Sequence, residues 1–386
     1  TFTVPSGATI VNSGTATGFG ITQTSFLPTA NPLIINGNMA VAQRGTSVAG
    51  PSTGTYPCAD RIKWHNASDA VVTISQATDV PTGGGFATSF KVDVTTADAS
   101  VGAAQGIWIQ YSLEGQNVQV FKKGTASAEA FTVAFWVKST KTGTFIVELY
   151  DTDNTRTCSQ ALTVDTTNTW EKKILNFPAD TTGAFGNDNG SSLLIYLTLM
   201  AGSDYTSGSL QTTWAARDDT KRYVGQVNAM DSTSNDFLFT GLQLEVGTYT
   251  SADLPPFRHE SYGDNLQRCK RYYQMLASGA VQGTDGGYTE RLGGGYFHTN
   301  IDFFFDVRLV VQLRANPSLE TVMGTDYVVI NKGGGSDTSD NVEDYTSSTY
   351  NILSLKCSDN VSGTQGEGGQ AMVGNSAARV AVDAEF

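Results

Sequence analysis

Apolar side chains recur along this chain with a period of two, and that pattern restricts it to sheets. In AFTVAFWVKST at 130–140, Phe131, Val133, Phe135 and Val137 alternate with Thr132, Ala134, Trp136 and Lys138. Successive side chains of a strand point to opposite faces, so such a run turns one apolar face to a core. GTFIVELYD at 143–151 repeats the signal, and SLLIYLTLMAG at 192–202 is apolar on both faces, as a central strand is. GIWIQYSLEG at 106–115 and QVFKKG at 119–124 read as a hairpin turning at Gly115–Asn117. The 41 Gly and 10 Pro among 386 residues, with abundant Thr and Ser, supply the turns. The predicted fold class is all-β, with one β-sandwich over 31–257 and a second, smaller one over 277–386.

The period changes once. Phe237, Phe239, Leu242 and Leu244 close a strand at Gly247, and Pro255 and Pro256 then forbid regular pairing. From Ser261, an N-cap type with Asp264 three positions on, Leu266, Cys269, Tyr273 and Leu276 recur at helical spacing. The expectation is a linking helix within 258–276, about four turns long.

In the second unit, IDFFFDVRLVVQLRANPSLE at 301–320 puts Phe303, Phe305, Val307, Leu309 and Val311 on one face. Asp302, Phe304, Asp306 and Arg308 fall on the other. TDYVVINKGGG, YNILSLKCSD and ARVAVDAEF add three strands, and GTDGGYTERLGGGYFHTN at 283–300 and GGGSDTSDNVEDYTSSTY at 333–350 read as long polar loops. Residues 1–30 hold too few apolar side chains for a core of their own. They read as a flexible leader or as the end of a repetitive β-shaft whose earlier turns precede residue 1, and a shaft buries its apolar edge between chains, which implies an oligomer.

Twenty-four Lys and Arg against 37 Asp and Glu give a net charge of −13. That balance argues against a nucleic-acid partner, whose binding rests on basic side chains displacing counterions. No run reaches the roughly 18 apolar residues of a membrane span, so no membrane insertion is expected. Cys58, Cys158, Cys269 and Cys357 are widely spaced, without a CxxC pair, and are expected as free thiols rather than as disulfides or zinc ligands. His65, His259 and His298 belong to no nucleophile or metal signature, and adjacent acids such as Asp218 and Asp219 arise by chance among so many. No catalytic residue is assigned. DTDNT at 151–155 and NDNGSS at 187–192 fit either Asx turns or a structural Ca²⁺ site, neither with the spacing of an EF-hand loop.

Three strings carry a resemblance. LQLEVG at 242–247 followed by FRHESYGDNLQRCKRYYQ at 257–274, NPLIINGNMAVAQRGTS at 31–47 with ADRIKW at 59–64, and ARVAVDAEF at 378–386 resemble segments of bacteriophage tail-fibre and receptor-binding proteins. In that family a carbohydrate-binding-like jelly roll passes through a short helix into a small terminal β-domain. The resemblance implies a virion tail-fibre protein exposed at the distal end of a fibre, trimeric, partnered by other phage tail proteins and binding a bacterial surface polysaccharide. On that footing Leu266, Tyr273 and Leu276 would meet their copies on a three-fold axis.

Saccharide binding asks for exposed aromatic faces beside hydrogen-bonding side chains. Tyr288, Tyr296, Tyr345 and Tyr350 stand among Gly, Ser, Thr and Asp in the terminal unit, and Trp214 sits in the polar string QTTWAARDD. These five are the candidate glycan-binding residues, with turn or trimer-contact roles as the alternative for the tyrosines. Attachment, a purely structural fibre role and a depolymerase all remain open at this point.

Overall fold

A computed structural model describes residues 31–279, 290–345 and 348–386. The proposed shaft at 1–30 and Tyr288 lie outside them. Twelve strands build the first unit: β1 (Ser47–Ala49), β2 (Ile62–Ala67), β3 (Val71–Ala77), β4 (Ser89–Thr96), β5 (Gly106–Glu114), β6 (Phe131–Ser139), β7 (Gly143–Asp151), β8 (Arg156–Val164), β9 (Glu171–Phe177), β10 (Ser191–Ala201), β11 (Ala215–Ala216) and β12 (Asp236–Val246). They pair antiparallel into two six-stranded sheets, β1-β3-β4-β12-β6-β9 and β11-β8-β7-β10-β5-β2. The two sheets face each other as a jelly-roll β-sandwich. Phe131, Val133, Phe135 and Val137 of β6 point inward as their alternation requires, and meet Phe145, Val147 and Leu149 of β7 in one core. Burial at roughly 25 cal/mol per Å² of apolar surface makes this core the main source of stability.

The expected hairpin after β5 does not form. β5 pairs with β10 and β2, and Gly115–Asn117 and Gln119–Phe121 are consecutive 3-10 turns. Val118 and Phe121, three residues apart, are both fully buried, which suits a tight helical turn and not an alternating strand.

The linking helix is also shorter than its pattern. After a single helical turn α1 (Ser203–Thr206) in the jelly roll, α2 covers Tyr262–Cys269, two turns. Its N-cap is as read: the Ser261 hydroxyl accepts from the Asp264 backbone N–H at 3.1 Å. The chain then becomes β13 (Tyr273–Ser278), because the strand at 379–383 offers a ladder: Tyr273 pairs with Asp383, Gln274 with Val382 and Met275 with Ala381. Tyr273 and Leu276 therefore stand on a strand. Tyr273 is fully buried within its own chain beneath the Arg44 guanidinium, 3.6 Å from the ring centroid, which corrects its assignment as a contact between copies. Leu266 packs on Ile35, Val41, Cys269 and Tyr272, and Leu276 on the terminal core.

The terminal unit adds β14 (Arg291–Thr299), β15 (Asp302–Arg308), β16 (Ser318–Val322), β17 (Val328–Lys332), β18 (Gly335–Ser339), β19 (Glu343–Asp344), β20 (Ile352–Cys357), β21 (Gly368–Val373) and β22 (Arg379–Asp383). β13-β22-β16 form a small sheet, and β18-β17-β21-β14-β15-β20-β19 a large one. Both contribute to a second core, with Phe297, Phe303, Phe305, Leu353 and Leu355 from the large sheet and Val380 and Val382 from the small one. The two segments read as polar loops thus hold strands, β14 in the first and β18 and β19 in the second.

The junction is polar and stacked. Glu114, at the end of β5, accepts two hydrogen bonds of 2.8 Å from Arg271 and one of 2.6 Å from the Tyr272 hydroxyl. Arg61 pairs with Glu385 and stacks on Tyr272, its guanidinium carbon 3.4 Å from the ring centroid. Arg44 donates to Asp383 at 2.8 Å. These contacts fix the terminal domain against the jelly roll and so set where its outer face points.

Candidate functional site

The large terminal sheet has two faces of different chemistry. Phe297, Phe303 and Phe305 go to the core, which leaves Tyr296 and His298 of β14 and Phe304 of β15 on the outer face. Tyr296 pairs with Phe304 across β14 and β15, and Tyr345, just past β19, reaches the same place. The rings run together. His298 and Phe304 stack with centroids 4.8 Å apart and planes at 12°, Phe304 and Tyr345 lie 4.7 Å apart, and Tyr296 lies 6.3 Å from His298.

Beside the rings is a cleft of about 250 Å³, lined by Gly294, Gly295, Tyr296, Phe304, Phe305, Asp306, Tyr345, Ser354 and Leu355. Its floor is backbone. A side chain at Gly295 would place its Cβ 1.9 Å from the Phe304 carbonyl oxygen, so glycine is required there by close approach of the strands. The Asp306 carboxylate stands on the wall, one oxygen accepting from the Ser354 hydroxyl at 2.8 Å. Opposite Phe304 in the register lies Lys356, whose ammonium pairs with Glu343 at 3.0 Å and holds that carboxyl below the usual range. The arrangement offers ring faces for C–H groups, two phenol hydroxyls and a carboxylate for hydroxyl groups.

Of the residues proposed from sequence, the structure brings together Tyr296 and Tyr345, which are 50% and 39% exposed. Tyr350 is exposed as well, but does not line the cleft. Trp214 is not an exposed ring: it is 8% exposed, packs 5.6 Å from Phe131, and its indole N–H donates to the Pro178 carbonyl at 2.8 Å. Its polar neighbours in sequence flank an inward-pointing side chain. Phe304, Asp306 and His298 were not singled out, although a phenylalanine on the polar side of an alternating strand is a readable signal.

Two other clusters lie elsewhere. On the outer face of the jelly roll, Trp108 is ringed by His65, Tyr196, Tyr205 and Tyr223, but Tyr223 is buried and, with Arg222, satisfies Glu148 at 2.6–3.1 Å. A larger cleft of about 490 Å³ between the two domains is lined by Arg44, Tyr56, Arg379 and Asp383, where Arg44 donates to Asp383, Arg379 to the Arg44 carbonyl and the Tyr56 hydroxyl to the Phe386 carbonyl.

The DTDNT turn holds a cation of the chain's own. The Lys123 ammonium is surrounded by Asp151 at 2.5 Å, Asp180 at 3.0 Å and the carbonyls of Thr182 and Gly183 at 2.9 and 2.8 Å. The Asp151 carboxylate accepts from Asn154 N–H three residues on, and the Asp188 carboxylate closes an Asx turn by accepting from Gly190 N–H. Among the described residues no group of three His, Cys, Asp or Glu side chains could hold a metal ion.

Fold and cleft define a class: a two-domain, all-β chain whose outer terminal sheet carries an aromatic cleft. No family model matches the chain, and no curated protein matches it in sequence. Among solved structures it is similar to the enzymatically active domain of bacteriophage CBA120 tailspike protein 4, at 13% identity and a TM-score of 0.29 over 56% of this chain and 21% of that one. It is similar to TmCBM61 in complex with β-1,4-galactotriose, at 7% identity and a TM-score of 0.29 over 56% and 99% of the chains. A family 11 carbohydrate-binding module from Clostridium thermocellum aligns at 11% identity and 0.26 over 53% and 98%. Likenesses this loose assign neither family nor ligand.

Proposed function

We propose that this chain is the distal part of a phage tail fibre, exposed on the virion as a homotrimer, and that it attaches to a bacterial surface glycan by non-catalytic binding in the terminal cleft. One observation carries the binding reading: four aromatic side chains, Tyr296, His298, Phe304 and Tyr345, share the outer face of one sheet around a glycine floor, with Asp306 beside them. The virion setting rests on the three strings that resemble tail-fibre proteins. Among the described residues Asp306 is the single carboxylate lining the cleft. Glycoside hydrolysis ordinarily takes a pair, which supports binding over cleavage. Each cleft is small, and three copies on one fibre would raise apparent affinity through effective concentration.

The test is a glycan array and host-cell binding assay with the wild-type chain and the Tyr296→Ala/Phe304→Ala double variant. Binding lost in the variant is the expected result. Binding unchanged in the variant, or absent in the wild type, overturns the assignment. Release of reducing ends from host polysaccharide would replace attachment by depolymerisation, and light scattering at monomer mass would remove the trimer.

A further inference from the structure

We infer that the terminal cleft selects uncharged saccharides and rejects acidic ones, with Asp306 as the residue that sets the discrimination. The inference rests on the reading of the cleft as a saccharide site. Among the described residues none of its lining side chains is basic. Of the bases near it, the Lys356 ammonium is 3.0 Å from Glu343 and the His298 ring is stacked flat on Phe304, while Arg308, exposed on the same face of β15, stands outside the lining. Among the described residues the lining itself therefore offers an incoming carboxylate or phosphate no cation, in a chain whose net charge is already −13.

Asp306 supplies the opposite preference. It is exposed, and one of its oxygens accepts from Ser354 at 2.8 Å, which fixes the carboxylate against the wall. Its other oxygen has no partner among the described residues and can accept from a sugar hydroxyl, a hydrogen bond strengthened by the charge. A uronate in the same place would set two carboxylates against each other, and specificity by repulsion is as effective as specificity by attraction. The aromatic rings do not distinguish the two sugars, since both present the same C–H face.

The experiment compares matched ligands. Uncharged gluco-, galacto- and manno-oligosaccharides are titrated calorimetrically into the full chain beside their C6-oxidised uronate counterparts, at low and at physiological salt. In the wild type the uronate of any series that binds is expected to be at least about tenfold weaker, with the gap narrowing as salt screens it. Asp306→Asn keeps the acceptor for Ser354 and removes the charge, so the ratio should fall toward one. Equal affinity for both members of a pair, tighter binding of the uronate, or an unchanged ratio in Asp306→Asn overturns this inference and leaves the site standing. Binding that survives Tyr296→Ala/Phe304→Ala overturns the site, and no binding anywhere in the panel overturns both.

Discussion

At the scale of single residues, the aromatic side chains divide by where they point. Trp214 belongs to the core, so Trp214→Ala is expected to cost about 3 kcal/mol in urea unfolding while leaving glycan affinity unchanged. Tyr296 is half exposed, so Tyr296→Ala should move stability by less than about 0.5 kcal/mol and weaken binding at least about fivefold. Lys123 is a different case, a fully buried ammonium whose loss leaves Asp151 and Asp180 facing each other, with Arg156 on Asp180 as partial compensation. Lys123→Met should destabilise by about 3 kcal/mol, and a chelator should leave the wild-type melting temperature unmoved because the cation in that cage is covalently attached. Sequence displayed Asp151 and Asn154 as an oxygen-rich turn, but not the lysine, which arrives from 28 residues away.

At the scale of elements, alternation was legible and its ends were not. The inward set of β6 and the two faces of β15 could be read directly, because a buried face imposes the period. The helix was over-extended, because Tyr273 and Leu276 keep helical spacing with Leu266 yet find a better ladder on β22. A triple glycine at 293–295 hid β14 inside an apparent loop, where only the three-dimensional approach of the Phe304 carbonyl explains the glycine. The join between β5 and the segment after α2 yields a pH prediction. Burial alone would raise the Glu114 carboxyl, but hydrogen bonds from Arg271 and Tyr272 outweigh it and hold the group below its usual value. A depressed folded pKa contributes stability that is present above the unfolded value of about 4.3 and is lost as pH falls through the lower folded one. Glu114→Gln should therefore cost about 2–3 kcal/mol at pH 7, measured by thermal unfolding, and noticeably less near pH 2.

For the whole molecule, two separate cores meet at a junction of buried charge. The strings that bore the resemblance contribute to this junction: Arg271 and Tyr272 from the first, Arg44 and Arg61 from the second, Asp383 and Glu385 from the third. Their roles were not visible in sequence, since ion pairing across more than 300 residues leaves no periodic trace. All four cysteines are free and buried, and burial pushes the thiols of Cys58, Cys158 and Cys357 up to about 12. The thiols should thus stay silent to an aromatic disulfide reagent at pH 8 and react together only on unfolding. Labelling of one thiol in the native protein would reveal local opening around it.

The backbone floor of the terminal cleft has one more consequence. A Cβ built at Gly294 meets only the Gly369 carbonyl oxygen, at 3.9 Å, whereas at Gly295 it would collide. Gly294→Leu should therefore yield a decoy: a chain that melts as the parent does but has the cleft filled in by its own side chain, so that the proposed adhesion would be switched off without touching a single aromatic ring.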